Sequence, residues 1–156
     1  MERMMKGTMK KFLALALALA VTLLSGAVAY AVTVEFKGFA VYGFSLDIPD
    51  DWIVTEDKGS ETVFIASPDE SESVTFVYAH REGKDGPSFA RTTADDLAGS
   101  DPVETDGGDF EFTFTEGSAQ VNVRTRHVGN LGVVMKTEDG GSFDFILSML
   151  DSLIHD

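Results

Sequence analysis

Histidine and carboxylate are the side chains here from which a metal site or an acid–base pair could be built. The 156 residues include three histidines, 26 aspartates and glutamates, and no cysteine. His80 and His127 fall at the ends of two segments that alternate like strands, so a sheet that aligned those ends would bring them to one rim. A metal there would need histidine with Asp or Glu as its ligands. Asp69, Glu70 and Glu72 form a second candidate, for calcium, yet they lack the alternating ligands and the glycine of a calcium loop. The histidines offer no ligand pair at close spacing. Strand-end histidines and a solvated acidic turn are the simpler readings of both, and the sequence predicts no cofactor.

The motifs of enzymatic chemistry are also missing. There is no Gly-x-Ser-x-Gly elbow, phosphate loop, His-Glu-x-x-His pair or EF-hand spacing. Serines and acids are so frequent that a distant Ser-His-Asp combination carries no information. The expectation is a protein that is not an enzyme.

Compartment is easier to read. Arg3, Lys6, Lys10 and Lys11 precede an apolar run from Phe12 to Leu24, followed by small residues ending in Ala29-Tyr30-Ala31. That is the layout of a signal peptide, 1–31, cleaved after Ala31, with Ala27-Val28-Ala29 offering an earlier site. Ser25 and Gly26 interrupt the run, which argues against an uncleaved anchor and for no stable membrane span in the mature protein. Taking 31 from 156 residues leaves one domain, 32–156, of 125 residues, periplasmic or secreted. The leader carries four of the 12 basic and one of the 26 acidic residues, so 8 basic remain against 25 acidic, a net charge of −17. Such a surface repels nucleic acid and anionic lipid and leaves basic proteins or cations as partners.

Alternation defines the elements. Phe44, Leu46 and Ile48 describe a half-buried strand stopped by Pro49-Asp50-Asp51. Ile53 to Thr55, Thr62 to Ala66 and Val74 to His80 follow as strands, with Val74, Phe76 and Tyr78 on one face. Gly86-Pro87-Ser88 opens a short helix with Phe89, Thr93 and Leu97 on one side, and Gly99 is expected to end it. Phe110, Phe112 and Phe114 then alternate into a hairpin turning at Gly117-Ser118. Closing that turn pairs Phe114 with Val121, Phe112 with Val123 and Phe110 with Thr125. It also sets Glu111 opposite Arg124 and Asp109 opposite Arg126, a structural role for two arginines that might otherwise suggest an anion site. A three-residue turn, Val128-Gly129-Asn130, would pair Val123 with Met135, Thr125 with Val133 and His127 with Leu131. Ser142 can cap a last helix whose stripe is Phe143, Ile146, Leu147, Leu150 and Ile154. The fold class is α+β: an antiparallel sheet with helices packed on it.

The run Tyr42-Gly43-Phe44-Ser45-Leu46-Asp47-Ile48-Pro49-Asp50-Asp51-Trp52 resembles the opening signature of the PsbP-like and DcrB-type secreted domains. In these a strand of the form F-S-x-x-x-P leads through a polar turn to a tryptophan, usually with glycine where Asp51 stands here. The later order of elements, ending in a helix with an I-L-x-x-L stripe, is similar too and extends the match over most of the mature chain. The resemblance implies an α/β/α sandwich and a family that mostly binds other proteins. Its motifs are packing motifs, so no functional residue transfers with them. Trp52 is expected to cover one end of the sheet and orient the Pro49–Asp51 turn.

The function expected is a non-catalytic exported module that docks to a protein partner or envelope complex through acidic loops and a sheet edge. Asp50, Asp51, Asp69, Glu70 and Glu72 are the candidate binding residues. The alternative is a periplasmic small-molecule or metal-binding protein with a cleft between sheet and helix.

Overall fold

The computed structural model describes residues 31–37, 43–78 and 85–155. Apart from Ala31, the expected leader lies outside these, as do Tyr42 and His80. Among the described residues the elements run β1 (Ala31–Phe36), β2 (Phe44–Pro49), β3 (Ile53–Asp57), β4 (Thr62–Ala66), β5 (Glu72–Tyr78), α1 (Gly86–Asp96), β6 (Val103–Glu104), β7 (Phe110–Glu116), β8 (Ala119–Val128), β9 (Leu131–Glu138), α2 (Asp144–Leu150) and β10 (Ile154–His155). A seven-stranded sheet has the order β3-β4-β5-β9-β8-β7-β6, and a second sheet the order β1-β2-β10. All the pairings are antiparallel. The expected α+β class is therefore found, with β2 in a separate small sheet.

Strand β9 is the centre of both cores. Leu131 through Met135 are all buried, so this strand needs cover on each face. On one face Val133 and Met135 join Phe76, Val74 and Ile65, which pack against Leu46 and Ile48 of β2 and Ile146 and Leu150 of α2. Phe36 stacks on Phe44, and Phe44 meets Phe76 in a tilted contact, with ring centroids 4.7 Å apart at each step, tying the two sheets together. On the other face Val134 joins Phe112, Phe114 and Val123 under Phe89 and Ala94 of α1. Gly132 lets that helix close on the sheet, since a Cβ there would stand 2.4 Å from the Phe89 ring.

The first hairpin has the register that alternation dictates: Phe114 opposite Val121, Phe112 opposite Val123 and Phe110 opposite Thr125. Its polar face also matches, with the Arg124 guanidinium donating to Glu111 and Arg126 donating twice to Asp109 at 2.9 Å. The next hairpin differs by one residue. Its turn is the pair Gly129-Asn130, so Val128 meets Leu131, Thr125 meets Val134 and Val123 meets Lys136. The three-residue turn is thereby corrected, and Met135 faces away from Val123. Gly129 takes φ +56° at the first turn position, where a two-residue hairpin favours glycine. The slip arose because β9 is apolar on both faces and gives alternation no phase to follow.

Helix α1 opens at Gly86, as the sequence predicts, and needs correction at its C-terminus and at Thr93. Asp85 is the N-cap, its carboxylate accepting from the Ser88 N–H at 2.8 Å. Phe89, Ala90 and Ala94 are buried, whereas the Thr93 hydroxyl turns back to donate to the Phe89 carbonyl. At the C-terminus Ala98 takes the left-handed conformation, φ +52°, with its N–H donating to the Asp95 carbonyl and the Gly99 N–H to that of Ala94. Gly99 is needed for space: a Cβ there would fall 2.6 Å from Phe112. In α2 the N-cap is Phe143, which has no side-chain cap bond, instead of Ser142; the Ser142 hydroxyl, one residue earlier, accepts from the Asp144 N–H, and Ile146 and Leu150 are buried. The expected stripe fails at Ile154, which lies beyond the helix in β10 and is 63% exposed.

Ala98→Gly should therefore stabilise the domain by about 1 kcal/mol, by relieving a left-handed conformation that costs an L-residue 1–2 kcal/mol. Gly99→Ala should destabilise it by about 1–3 kcal/mol through overpacking against Phe112. Urea unfolding of both variants checks the pair; equal effects at the two positions would contradict the assignment.

Candidate functional site

Antiparallel pairing decides which acids become neighbours. Ile53 pairs with Ala66, Ala66 with Ser73, and Ser73 with Lys136, so the start of β3, the end of β4, the start of β5 and the end of β9 share one end of the large sheet. Asp50 and Asp51 precede β3 there, and Asp69, Glu70 and Glu72 occupy the β4–β5 turn and its exit. All five sequence candidates are thus gathered at one end. Glu116, Glu138 and Asp139 join them, through the Asp139 N–H donating to Gln120 and the Glu138 N–H donating to Ser71, each at 3.2 Å. These three were missed; the turn positions were readable, but the strand order that aligns them was not. Lys136 lies two residues before Glu138, and its ammonium rests over the Phe114 ring, 5.2 Å from the centroid.

These carboxylates have different roles. Asp69 Oδ1 accepts from the Ser67 hydroxyl at 2.8 Å, the Ser71 hydroxyl at 2.8 Å and the Ser71 N–H at 3.1 Å. Those bonds, the Ser71 hydroxyl first, hold its carboxyl below the usual aspartate value. Partial burial, and secondarily the charge of Asp69, pushes the Glu72 carboxyl up. Asp69 is a turn-holding residue. Asp50, Asp51 and Glu70 are exposed and form no ion pair among the described residues.

The edge beside this end carries exposed apolar surface. Trp52 is half-buried and its ring stacks on Phe145 of α2 with centroids 5.4 Å apart, while its backbone N–H donates to the Pro49 carbonyl at 3.1 Å. The turn is closed by the Trp52 backbone, and the indole lies against α2. Phe145 remains 42% exposed, and Ile53 and Val54 follow at 45% and 37%.

A separate open cleft of about 640 Å³ lies where the polar face of β7 and β8 meets the start of α2. Glu111, Thr113, Asn122, Arg124, Phe143 and the 67%-exposed Val103 line it. Its volume falls in the range of small-ligand sites. Arg124 is the main cation in its lining, and Glu111 and the Phe143 ring, 5.2 Å away, already engage it.

The proposed rim of histidines cannot be assembled, because His80 lies outside the described residues. His127 sits on the α1 face, 6.3 Å from the Phe89 ring, with its Nε2 buried and unbonded among the described residues. Among those residues no three His, Asp or Glu side chains are grouped to hold a metal, and no helix is long and apolar enough to cross a membrane.

No protein-family model and no curated protein matches this chain. Among solved structures, the solution structure of cyanobacterial PsbP (CyanoP) from Synechocystis sp. PCC 6803 aligns at 13% identity and a TM-score of 0.47, over 84% of this chain and 95% of that one. A crystal structure from Bacteroides thetaiotaomicron VPI-5482 aligns at 17% identity and a TM-score of 0.49, over 78% of this chain. The alignment spans about half, 48%, of that second protein. At these scores neither likeness transfers a family or a function.

The opposed carboxyl shifts in the β4–β5 turn set a pH test. Glu72, raised, favours the fold when protonated; that contribution is present below pH 4.5 and lost as pH rises through its folded value. Asp69, lowered, favours the fold when ionised; its contribution is present above pH 3.8 and lost as pH falls through its folded value. Glu72→Gln should raise Tm at pH 7 and leave it unchanged near pH 3, whereas Asp69→Asn should lower Tm at pH 7 by a margin that shrinks on acidification. Thermal unfolding at the two pH values checks both signs.

Proposed function

We propose that this chain is an exported, PsbP-like, non-catalytic binding module that docks a basic protein partner in the periplasm or outside the cell. The observation that carries the reading is the gathering of Asp50, Asp51, Asp69, Glu70 and Glu72 at one end of the sheet with Glu116, Glu138 and Asp139. Their negative field would raise the on-rate of a cationic partner and orient it. The Phe44–Pro49 strand, its polar turn and Trp52 support the PsbP-like reading. Export rests on the basic, apolar and small-residue segments of 1–31.

A second reading, a small-molecule binder, is favoured by the cleft beside Arg124 and Phe143. The two are separated by capture of partners from the native envelope fraction on the tagged domain, at low and high salt. Asp50→Asn, Asp51→Asn and Glu70→Gln together, which spare the turn-holding Asp69, should weaken capture roughly tenfold at low salt, as three exposed charge pairs of about 0.5 kcal/mol each imply. High salt should erase the difference. Unchanged capture by the triple variant would discard the acidic end, and ligand-dependent thermal stabilisation would then move the reading to the cleft.

A further inference from the structure

Strand β3 ends the seven-stranded sheet, and all five of its residues, Ile53 to Asp57, are exposed. It pairs with β4 in unbroken register from Ile53–Ala66 to Asp57–Thr62, and among the described residues no strand pairs with its other edge, which presents a row of backbone donors and acceptors. The usual protections of an edge are unevenly spread. No proline or bulge interrupts the strand, and its first three residues, Ile53-Val54-Thr55, carry no charge. Acids flank that stretch, Asp50 and Asp51 before it and Glu56 and Asp57 after it, against the single base Lys58. Alternation places Ile53 and Thr55 on the α1 side and Val54 and Glu56 on the side of Ile65, with the Trp52–Phe145 stack at the strand's entrance.

From this edge we infer that β3 accepts an extended segment of a basic partner as an eighth strand. Backbone hydrogen bonds hold the segment, β-branched side chains lie against Ile53 and Val54, and cations meet both acidic flanks. The inference rests on the docking function proposed above and specifies how the partner is gripped. The charge pattern selects the occupant: a second copy of this chain would bring the same acids against themselves, whereas a strand with basic ends and a β-branched centre complements β3 in either direction.

The probe is the peptide Lys-Lys-Thr-Val-Val-Ser-Lys-Lys, offered to the full chain expressed and processed in its host. Two forms of it carry N-methyl groups on alternate residues, each removing the donors along one edge. Trp52, the chain's only tryptophan, reports occupancy by fluorescence, and amide exchange locates it. The unmodified peptide should shift Trp52 emission and slow exchange of the outward amides of Ile53–Asp57 at least tenfold. One methylated form should retain this and the other lose it. Equal binding of both forms, protection elsewhere with β3 unprotected, or no binding would each overturn the inference, as would β3 protection in a dimer without peptide. Salt-sensitive capture of an envelope partner with β3 unprotected would leave the acidic docking reading standing and remove only the strand addition.

Discussion

The need to bury both faces of β9 is the constraint from which the rest of the architecture follows. Val133 and Val134 are adjacent in sequence and belong to opposite cores, so no single covering layer would suffice. One face takes α1, admitted by Gly132. The other takes α2 together with β2, whose Phe44, Leu46 and Ile48 pack face-on against the large sheet. The small sheet is attached to α2 through the Ser152 hydroxyl, which accepts from the Asp47 N–H and donates to the Met149 carbonyl.

Cover at the centre leaves the margins open. Seven strands at a spacing of about 4.8 Å span roughly 29 Å, whereas an 11-residue helix is about 16 Å long. The exposed residues of β3 lie at one margin and the Arg124–Phe143 cleft toward the other. The acidic turns project from an end of the sheet, where water screens their mutual repulsion and where Asp69 spends its charge on the β4–β5 turn. Surfaces available for recognition are therefore by-products of how the core is closed.

Legibility in the sequence followed the same division. Strands with one wet face, such as Phe110–Glu116, announced their register through alternation, and the Glu111–Arg124 and Asp109–Arg126 pairs followed from it. The doubly buried β9 did not, and its register slipped by one. Gly99 was rightly marked as special for the wrong reason, because its contact with Phe112 is long-range. β1, β6 and β10 were not recognised, since β6 and β10 are two residues long and β1 is largely exposed. The candidate acids were readable from composition, but their convergence with Glu116, Glu138 and Asp139 depends on a strand order that alternation does not encode.

The most direct test of docking at this margin is photo-crosslinking in the native envelope, with a photoreactive side chain placed at Asp51 in one variant and at Val103, beside the cleft, in another. Docking at the acidic end should give a discrete adduct with a basic protein from position 51 and none from position 103. Adducts from position 103 alone, or from neither position, would contradict it.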